Sequence, residues 1–233
     1  MSLGRTTKEA VRHLLHRAGY RRRLPHLRDD RGSSFAAIYD QGAWRHGDEK
    51  VPPSGHGSSI TATKGVRGAL PGLLETIGAK TLLDLGCGDF TWMQTVQLPC
   101  DYIGVDIVPS VIEQNRKTFA SPQRDFRVLD FVVEVPPKAD TVLCREVLFH
   151  LSFEDGLAGL RNALATDCRH LLLTSDRGTA FNADIQSGDF RSLNLEKAPF
   201  KLPKPLIEIE DGAVSEGRFL GVWDAAEVRK RLG

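Results

Sequence analysis

Three aspartates stand where short apolar runs end. Asp84 lies in Leu82-Leu-Asp-Leu-Gly-Cys-Gly-Asp-Phe90, Asp106 closes Tyr102-Ile-Gly-Val-Asp106, and Asp130 lies in Val128-Leu-Asp-Phe131. Gly86 and Gly88 remove side chains from the turn after the first run, so the backbone there can approach a ligand closely. A helix starting near Phe90 would add free N–H groups. The turn is not a dinucleotide fingerprint, because Gly86-x-Gly88 is followed by Asp89, Phe90 and Thr91 rather than a third glycine. The carboxylate of Asp84, two residues before Gly86, would repel a pyrophosphate and attract a cation. Asp106 can accept both hydroxyls of a ribose. Asp130 can accept from the exocyclic amine of an adenine, with Phe131 packed on the ring.

A single aspartate after a strand is more often structural or solvated. Three at successive strand ends, the first on a Gly-x-Gly turn, describe a pocket for a cationic, adenosine-bearing ligand. That charge pattern favours S-adenosylmethionine (SAM) over NAD.

The elements that must position these acids follow from apolar periodicity. Strands are predicted at Thr81–Leu85, Tyr102–Val105, Phe126–Leu129, Thr141–Cys144 and His170–Thr174. Helices are predicted over 61–78, over Phe90–Val96, at Ser110–Phe119 and at Glu154–Ala165. The helix over 61–78 places Val66, Leu70, Leu73, Leu74 and Ile77 on one face, and Glu154–Ala165 turns Leu157, Leu160 and Leu164 inward. This βαβαβ order calls for a parallel sheet covered on both faces. Leu206–Ile209 and Arg218–Trp223, separated by a stretch containing Asp211-Gly212, predict an antiparallel pair at the sheet edge. Upstream, residues 1–34 read as a basic helix followed by a polar stretch. After the aromatics Phe35, Tyr39 and Trp44, the segment Val51-Pro-Pro-Ser-Gly-His-Gly-Ser-Ser59 reads as an ordered loop or lid. The division expected is an N-terminal arm and lid over 1–60 and a ligand-binding domain over 61–233.

Length and composition fit one elaborated α/β domain: 233 residues, 41% hydrophobic, 26% charged, net charge +1. That balance gives no general attraction to nucleic acid or an anionic membrane. The charge is uneven, however. The first 31 residues hold Arg5, Lys8, Arg12, Arg17, Arg21, Arg22, Arg23, Arg28 and Arg31 against Glu9, Asp29 and Asp30. Such a run is most simply a solvated helix or arm; the functional reading is contact with an anionic substrate or partner. No apolar run is long enough to span a membrane, and the N-terminus lacks the apolar core of a secretory signal. Cys87, Cys100, Cys144 and Cys168 show no CxxC pairing, which speaks against a zinc site or disulfide framework and for a reducing cytoplasm.

At Asp84-x-Gly86-x-Gly88, Asp106 and Asp130 the chain resembles the first three motifs of class I SAM-dependent methyltransferases. The resemblance runs over roughly residues 60–224. It implies a Rossmann-like, doubly wound, mostly parallel seven-stranded sheet with a C-terminal antiparallel hairpin, here with an N-terminal helical and lid extension. Phe90 stands where the family has its usual third glycine, so Asp89-Phe90-x-Trp92 is expected to wall the methionine end of the cofactor. A longer string resembles a narrower bacterial subgroup of small-molecule methyltransferases. It runs Trp44…Ser54-Gly-x-Gly-Ser58…Cys87-Gly-Asp-Phe-x-Trp92…Cys144-Arg-Glu-x-Leu-Phe-His150…Phe190-Arg-x-Leu-Asn194…Pro199-Phe200.

The resemblance implies SAM as cofactor, held by Asp84, Gly86, Cys87, Gly88, Trp92, Asp106, Ile107, Asp130, Phe131 and Arg145. Ser54, Gly55 and Ser58 would close over it as a lid, or else form a plain surface loop. The segment after the fourth strand is where the acceptor would meet the methyl group. His150 is the first candidate for general base, because an imidazole takes a proton near neutral pH; the alternative is a hydrogen-bonded structural histidine. Asp89 is a second base candidate, or a ligand if a divalent ion assists, although no metal is expected. Arg145 and Glu146 would pair with each other or line the cleft. Trp44, Glu146, Asn182, Arg191 and Asn194 are candidate acceptor contacts, the last three alternatively capping their own loop.

The activity implied is methyl transfer (EC 2.1.1.-) to a polar small molecule. A sugar- or glycan-like hydroxyl leads, small-molecule N-methylation follows, and RNA or protein methylation has only the basic arm behind it. Neither a membrane nor nucleic acid is expected as a partner, and a homodimer stays open. Asp106→Ala is expected to weaken SAM binding greatly; unchanged affinity by calorimetry would refute the ribose assignment.

Overall fold

Side chains alternate between the two faces of a strand, and that alternation divides the core. In the computed structural model, which describes residues 3–20, 22–212 and 215–233 (side chains from Thr7 onward), β1 (Thr81–Leu85) sends Leu83 and Leu85 to one apolar cluster and Leu82 to the other. The same division holds in β4 (Thr141–Cys144), with Val142 against Leu143, and in β5 (His170–Asp176), with Leu171 and Leu173 against Leu172. Together with β2 (Asp101–Asp106), β3 (Arg124–Val128), β6 (Ile207–Glu210) and β7 (Arg218–Asp224), these form one seven-stranded sheet in the order β3-β2-β1-β4-β5-β7-β6. The first five strands are parallel; β7 runs antiparallel between β5 and β6. The predicted terminal pair is therefore present, with only β6 at the edge. Chain order reverses between β1 and β4, and in such sheets ligands bind in the crevice at that switch point.

Helices cover both faces. α3 (Lys64–Thr76) buries Val66, Leu70, Leu73 and Leu74 against the Leu82 side. α5 (Phe153–Leu164) buries Leu160 and Leu164 on the other, with Leu157 half-buried. α4 (Pro109–Phe119) lies near its predicted place. α1 (Leu3–Arg17) is the predicted basic helix. No helix among the described residues is long and apolar enough to cross a membrane. Arg5 and Arg21 of the basic run lie outside the described side chains.

Three elements differ from expectation. Residues 31–41, read as the end of a polar stretch and the start of a loop, form α2 (Arg31–Gln41). Its caps explain it: Asp30 accepts from the Ser33 N–H at 2.8 Å, and Gly42 ends it at φ 59°. α6 (Ala225–Leu232) follows β7, capped by Asp224, which accepts from the N–H groups of Ala226 and Glu227. The helix expected over Phe90–Val96 is a single 3-10 turn, Met93–Thr95. Phe90 takes a left-handed φ of 60° and its ring packs on Tyr102, Phe119 and Phe126, and that backbone cannot continue a helix. Phe90 thus faces the core, and of the expected wall only Trp92 reaches the cavity.

Gly86 has φ 71°, and a Cβ there would lie 2.6 Å from Val147 Cγ2. Gly86→Ala is therefore expected to cost about 1–3 kcal/mol, read as a lowered midpoint in urea unfolding; an unchanged midpoint would show that the β1 turn tolerates a side chain.

Candidate active site

The carboxyl ends of β1, β2 and β3 bring Asp84, Asp106 and Asp130 to the wall of one cavity. Gly86, Cys87, Gly88, Trp92, Ile107 and Phe131 line it with them, as do Arg145 and Glu146 from the turn after β4. The roof comes from upstream. Arg31, Phe35 and Tyr39, spaced four apart on α2, face the cavity, and Ser54 and Ser58 of the lid segment close beside them. Sequence reasoning missed Arg31 as a site residue. Its only signal was that spacing, hidden once the segment was read as non-helical.

Burial dominates the chemistry of the acids. Asp84 is buried, and desolvation pushes its carboxyl up to about 7 despite the Tyr102 hydroxyl that donates to Oδ2 at 2.8 Å. Nearby Asp106 pushes the same way and the Arg145 guanidinium opposes it. Asp106 rises to about 6 for the same primary reason, against backbone donors: Gly88 N–H to Oδ2 and Val108 N–H to Oδ1, each at 3.0 Å. Each oxygen keeps a lone pair for a ligand. Asp130 differs. Its Oδ2 accepts from Arg31 Nη2 at 2.7 Å and its Oδ1 from the Val132 N–H at 3.0 Å. The other Arg31 nitrogen, Nη1, donates to Asp155 at 2.9 Å, so α2 is tied to both β3 and α5 at this end.

Arg145 and Glu146 line the cavity but do not pair with each other. Arg145 forms a buried bidentate bond to Asp211, Nε to Oδ2 at 2.9 Å and Nη2 to Oδ1 at 2.8 Å. Its Nη1 donates to the Gly57 carbonyl at 2.8 Å and its guanidinium lies over Trp92. Arg145 is thereby fixed as a brace between Asp211 and the Gly57 backbone, a structural task that its reading as a catalytic residue did not foresee. Glu146 accepts from Arg218 at Oε2, 3.0 Å, while Oε1 is buried without a hydrogen-bond partner. Burial raises its carboxyl above the usual range against the pull of Arg218 and Arg145.

Asp89 is corrected as a base candidate. It does not line the cavity. Its oxygens accept from the Ser54 N–H at 3.1 Å, the Ser54 hydroxyl at 2.9 Å and the Thr91 N–H at 3.0 Å, anchoring the Ser54 segment to the turn after β1.

A second cavity of about 560 Å³ opens beside the first, ample for a small acceptor. Gly55, Arg22, His26, Phe190 and Arg218 are among its walls. Trp44, Ser54, Ser58, Glu146 and His150 belong to both cavities and therefore frame the aperture between them. His150 packs on Trp44, ring centroids 4.8 Å apart, and on Phe190 at 5.4 Å. Its Nδ1 lies 3.0 Å from the Asp189 carbonyl. A carbonyl only accepts, so Nδ1 carries the proton and Nε2 the lone pair. Burial pushes the imidazole down to about 4.

Asn182, Arg191 and Asn194 do not line either cavity, contrary to their reading as acceptor contacts. Asn182 donates to the carbonyls of Asn194 and Ala198 and accepts from the Asn194 N–H. Asn194 donates to Thr179 and accepts from the Glu196 N–H. Arg191, fully buried, donates to the carbonyls of Leu148 and Phe149 at 3.0 Å each. A long loop packed against the sheet must satisfy its own backbone, and these side chains do so.

With sheet and cavity established, comparison places the chain among known folds. Residues 83–170 match the family model described as a methyltransferase domain. The N-methyltransferase NodS from Bradyrhizobium japonicum WM9, in complex with S-adenosyl-L-homocysteine (SAH), superposes with TM-score 0.55 at 13% identity, over 80% of this chain and 97% of that one. The methyltransferase domain of bacterial CtHen1 gives 0.52 at 15%, over 70% and 99%. The mitomycin 7-O-methyltransferase MmcR gives 0.51 at 16%, over 82% and 70%. No curated protein sequence matches. The fold of this chain is that of the class I SAM-dependent methyltransferases.

The raised carboxyls have a consequence for stability. An acid whose folded-state pKa exceeds its unfolded value binds its proton more tightly when folded, so stability is lost as pH rises between the two. The ligand-free protein is therefore expected to lose on the order of 1 kcal/mol or more between pH 4 and pH 7 through Asp84 and Asp106. Urea unfolding at pH 5 and pH 8 should show this fall, and Asp84→Asn should flatten it. Equal pH slopes for the variant and the parent would discard the desolvation argument.

Proposed function

We propose that the chain transfers the methyl group of SAM to a polar small-molecule acceptor, with a hydroxyl as the preferred nucleophile. The aperture between the two cavities carries this reading, because His150 stands there with Nδ1 tied to a carbonyl and Nε2 bearing the lone pair. The residues present fit the cofactor. Asp84 and Asp106 are desolvated carboxylates beside a glycine turn with lone pairs to spare, suited to a cationic amino-acid end and a ribose. Asp130, Phe131 and Arg31 would hold the adenine end.

SAM supplies a methyl already activated on sulfonium sulfur, so the protein contributes alignment and proton handling. Trp44 and Phe190, both packed on His150, give the acceptor cavity apolar surface beside the imidazole. His150 Nε2 receives the acceptor proton. A site that holds imidazole near 4 keeps it neutral, with the lone pair free, throughout the physiological range, and turnover of the SAM-saturated protein should lose the His150 contribution only as pH falls toward that value.

N-methylation is the second reading, favoured by Glu146 at the same aperture with one oxygen unpartnered. RNA or protein methylation is the third reading; of the basic arm behind it, Arg12, Arg22 and Arg31 are paired with acids of this chain. We further propose residues 1–60 as the roof and acceptor wall of a methyltransferase domain spanning 61–233. A cytoplasmic setting accords with four free cysteines.

Methyl transfer from radiolabelled SAM to panels of monosaccharides and small amines distinguishes the two acceptor classes. His150→Ala is expected to lower turnover on a hydroxyl acceptor by about a hundredfold or more, while calorimetry with SAH shows nearly unchanged affinity. Full turnover in the variant removes His150 from the base role, and failure of SAH to bind the parent protein overturns the methyltransferase reading.

A further inference from the structure

Methyl transfer itself gives Arg12 and Arg22 of the basic arm no chemical task. In the fold it runs against the long loop after β5. Arg12 Nη2 donates to Asp189 Oδ2 at 2.6 Å and Arg22 Nη1 to Asp189 Oδ1 at 2.9 Å. The Asp189 side chain is only 6% exposed, whereas Arg22 is about half exposed. Two cations thus hold one buried carboxylate, whose charge would be costly if left alone. The contact is close along the backbone as well: a Cβ on Gly188 would lie 2.9 Å from Leu27 Cδ2 and 3.2 Å from Ser34 Cβ. His26 Nε2 sits 3.1 Å from the Gly188 carbonyl.

The other side of this loop holds the aperture. The Gly188 N–H donates to the His150 carbonyl at 2.8 Å, and the Arg191 N–H to the Phe149 carbonyl at 3.0 Å. The Asp189 carbonyl accepts a hydrogen bond from His150 Nδ1–H. One residue therefore joins the arm, through its carboxylate, to the imidazole, through its backbone. Arg22, Leu24 and His26 also line the acceptor cavity.

We propose that the basic arm is an in-cis clamp in which Arg12 and Arg22 act as positioning residues. By holding the Asp189 loop they lock His150 as the Nδ1–H tautomer and keep Nε2 free at the aperture. The partner bonded to one ring nitrogen decides which nitrogen carries the proton. A loosened loop would let the ring exchange tautomers and admit water. The claim rests on the reading of His150 as proton acceptor, but its test does not. The charged groups facing the imidazole are Asp189 and Arg191 from the loop, Arg218 from β7 and Glu146 from the turn after β4.

The experiment is nitrogen-15 NMR of the imidazoles in the full chain, with His150 assigned by His150→Gln. The parent protein is expected to show one tautomer and a titration midpoint well below that of an ordinary histidine. In Arg12→Gln/Arg22→Gln, and in Asp189→Asn, the two tautomers should mix, because the carbonyl that fixes the proton on Nδ1 is no longer held in place. Arg22→Lys should retain the parent pattern. SAH calorimetry should be unmoved, since none of these residues lines the cofactor cavity. Should the double variant not fold, 1 M NaCl added to the parent protein weakens the half-exposed Arg22 arm of the clamp and should produce the same mixing. An unchanged tautomer in a folded variant, or an Nε2–H tautomer in the parent, overturns the clamp. Loss of SAH binding alone would sink the cofactor reading and leave the clamp standing.

Discussion

Two carboxyl groups removed from water without a cation of their own define this molecule. Asp84 and Asp106 end adjacent strands in a region dry enough to push both well above the ordinary carboxylate range. Folding alone does not reward such an arrangement, since a desolvated acid prefers its proton. A ligand that brings positive charge and ribose hydroxyls would. The cost is local, confined to the switch point of a sheet whose other strands are ordinary apolar packing.

The rest of the architecture closes that point off. Polar ties bind the upstream segment to the rest of the fold, among them Arg31 to Asp130 and Asp155, Ser54 to Asp89, Gly57 to Arg145, and Arg12 with Arg22 to Asp189. The buried Arg145–Asp211 pair lies beneath the Gly57 tie and holds the guanidinium in place. Polar ties suit a roof. Unlike interdigitated apolar packing, they can part and re-form as a ligand comes and goes, exchanging partners with water.

The residues that frame the aperture belong to no single element. Trp44 and Ser54 come from the roof, Glu146 and His150 from the turn after β4, and the carbonyl that orients His150 from the loop after β5. Glu146 adopts a left-handed φ of 65°, a conformation that costs a non-glycine residue energy and is often found where function demands it.

Local signals sufficed for the strands and for the three acids at their ends. Alternating apolar residues, a Gly-x-Gly turn and an aspartate after each run depend on the backbone period and on side-chain chemistry, and both are written in consecutive residues. The helix α2 was nearly as legible through Asp30 and Gly42, yet composition obscured it. What only the tertiary structure decided is where long polar side chains find partners. Asp89, Arg145, Asn182, Arg191 and Asn194 have the chemistry of site residues, but their donors and acceptors meet lid, loop and backbone groups far away in sequence. Arg31 and Asp189 owe their places to contacts equally distant along the chain. Backbone periodicity carries no information about such meetings, because long flexible side chains choose their partners only after the sheet and its roof have come together.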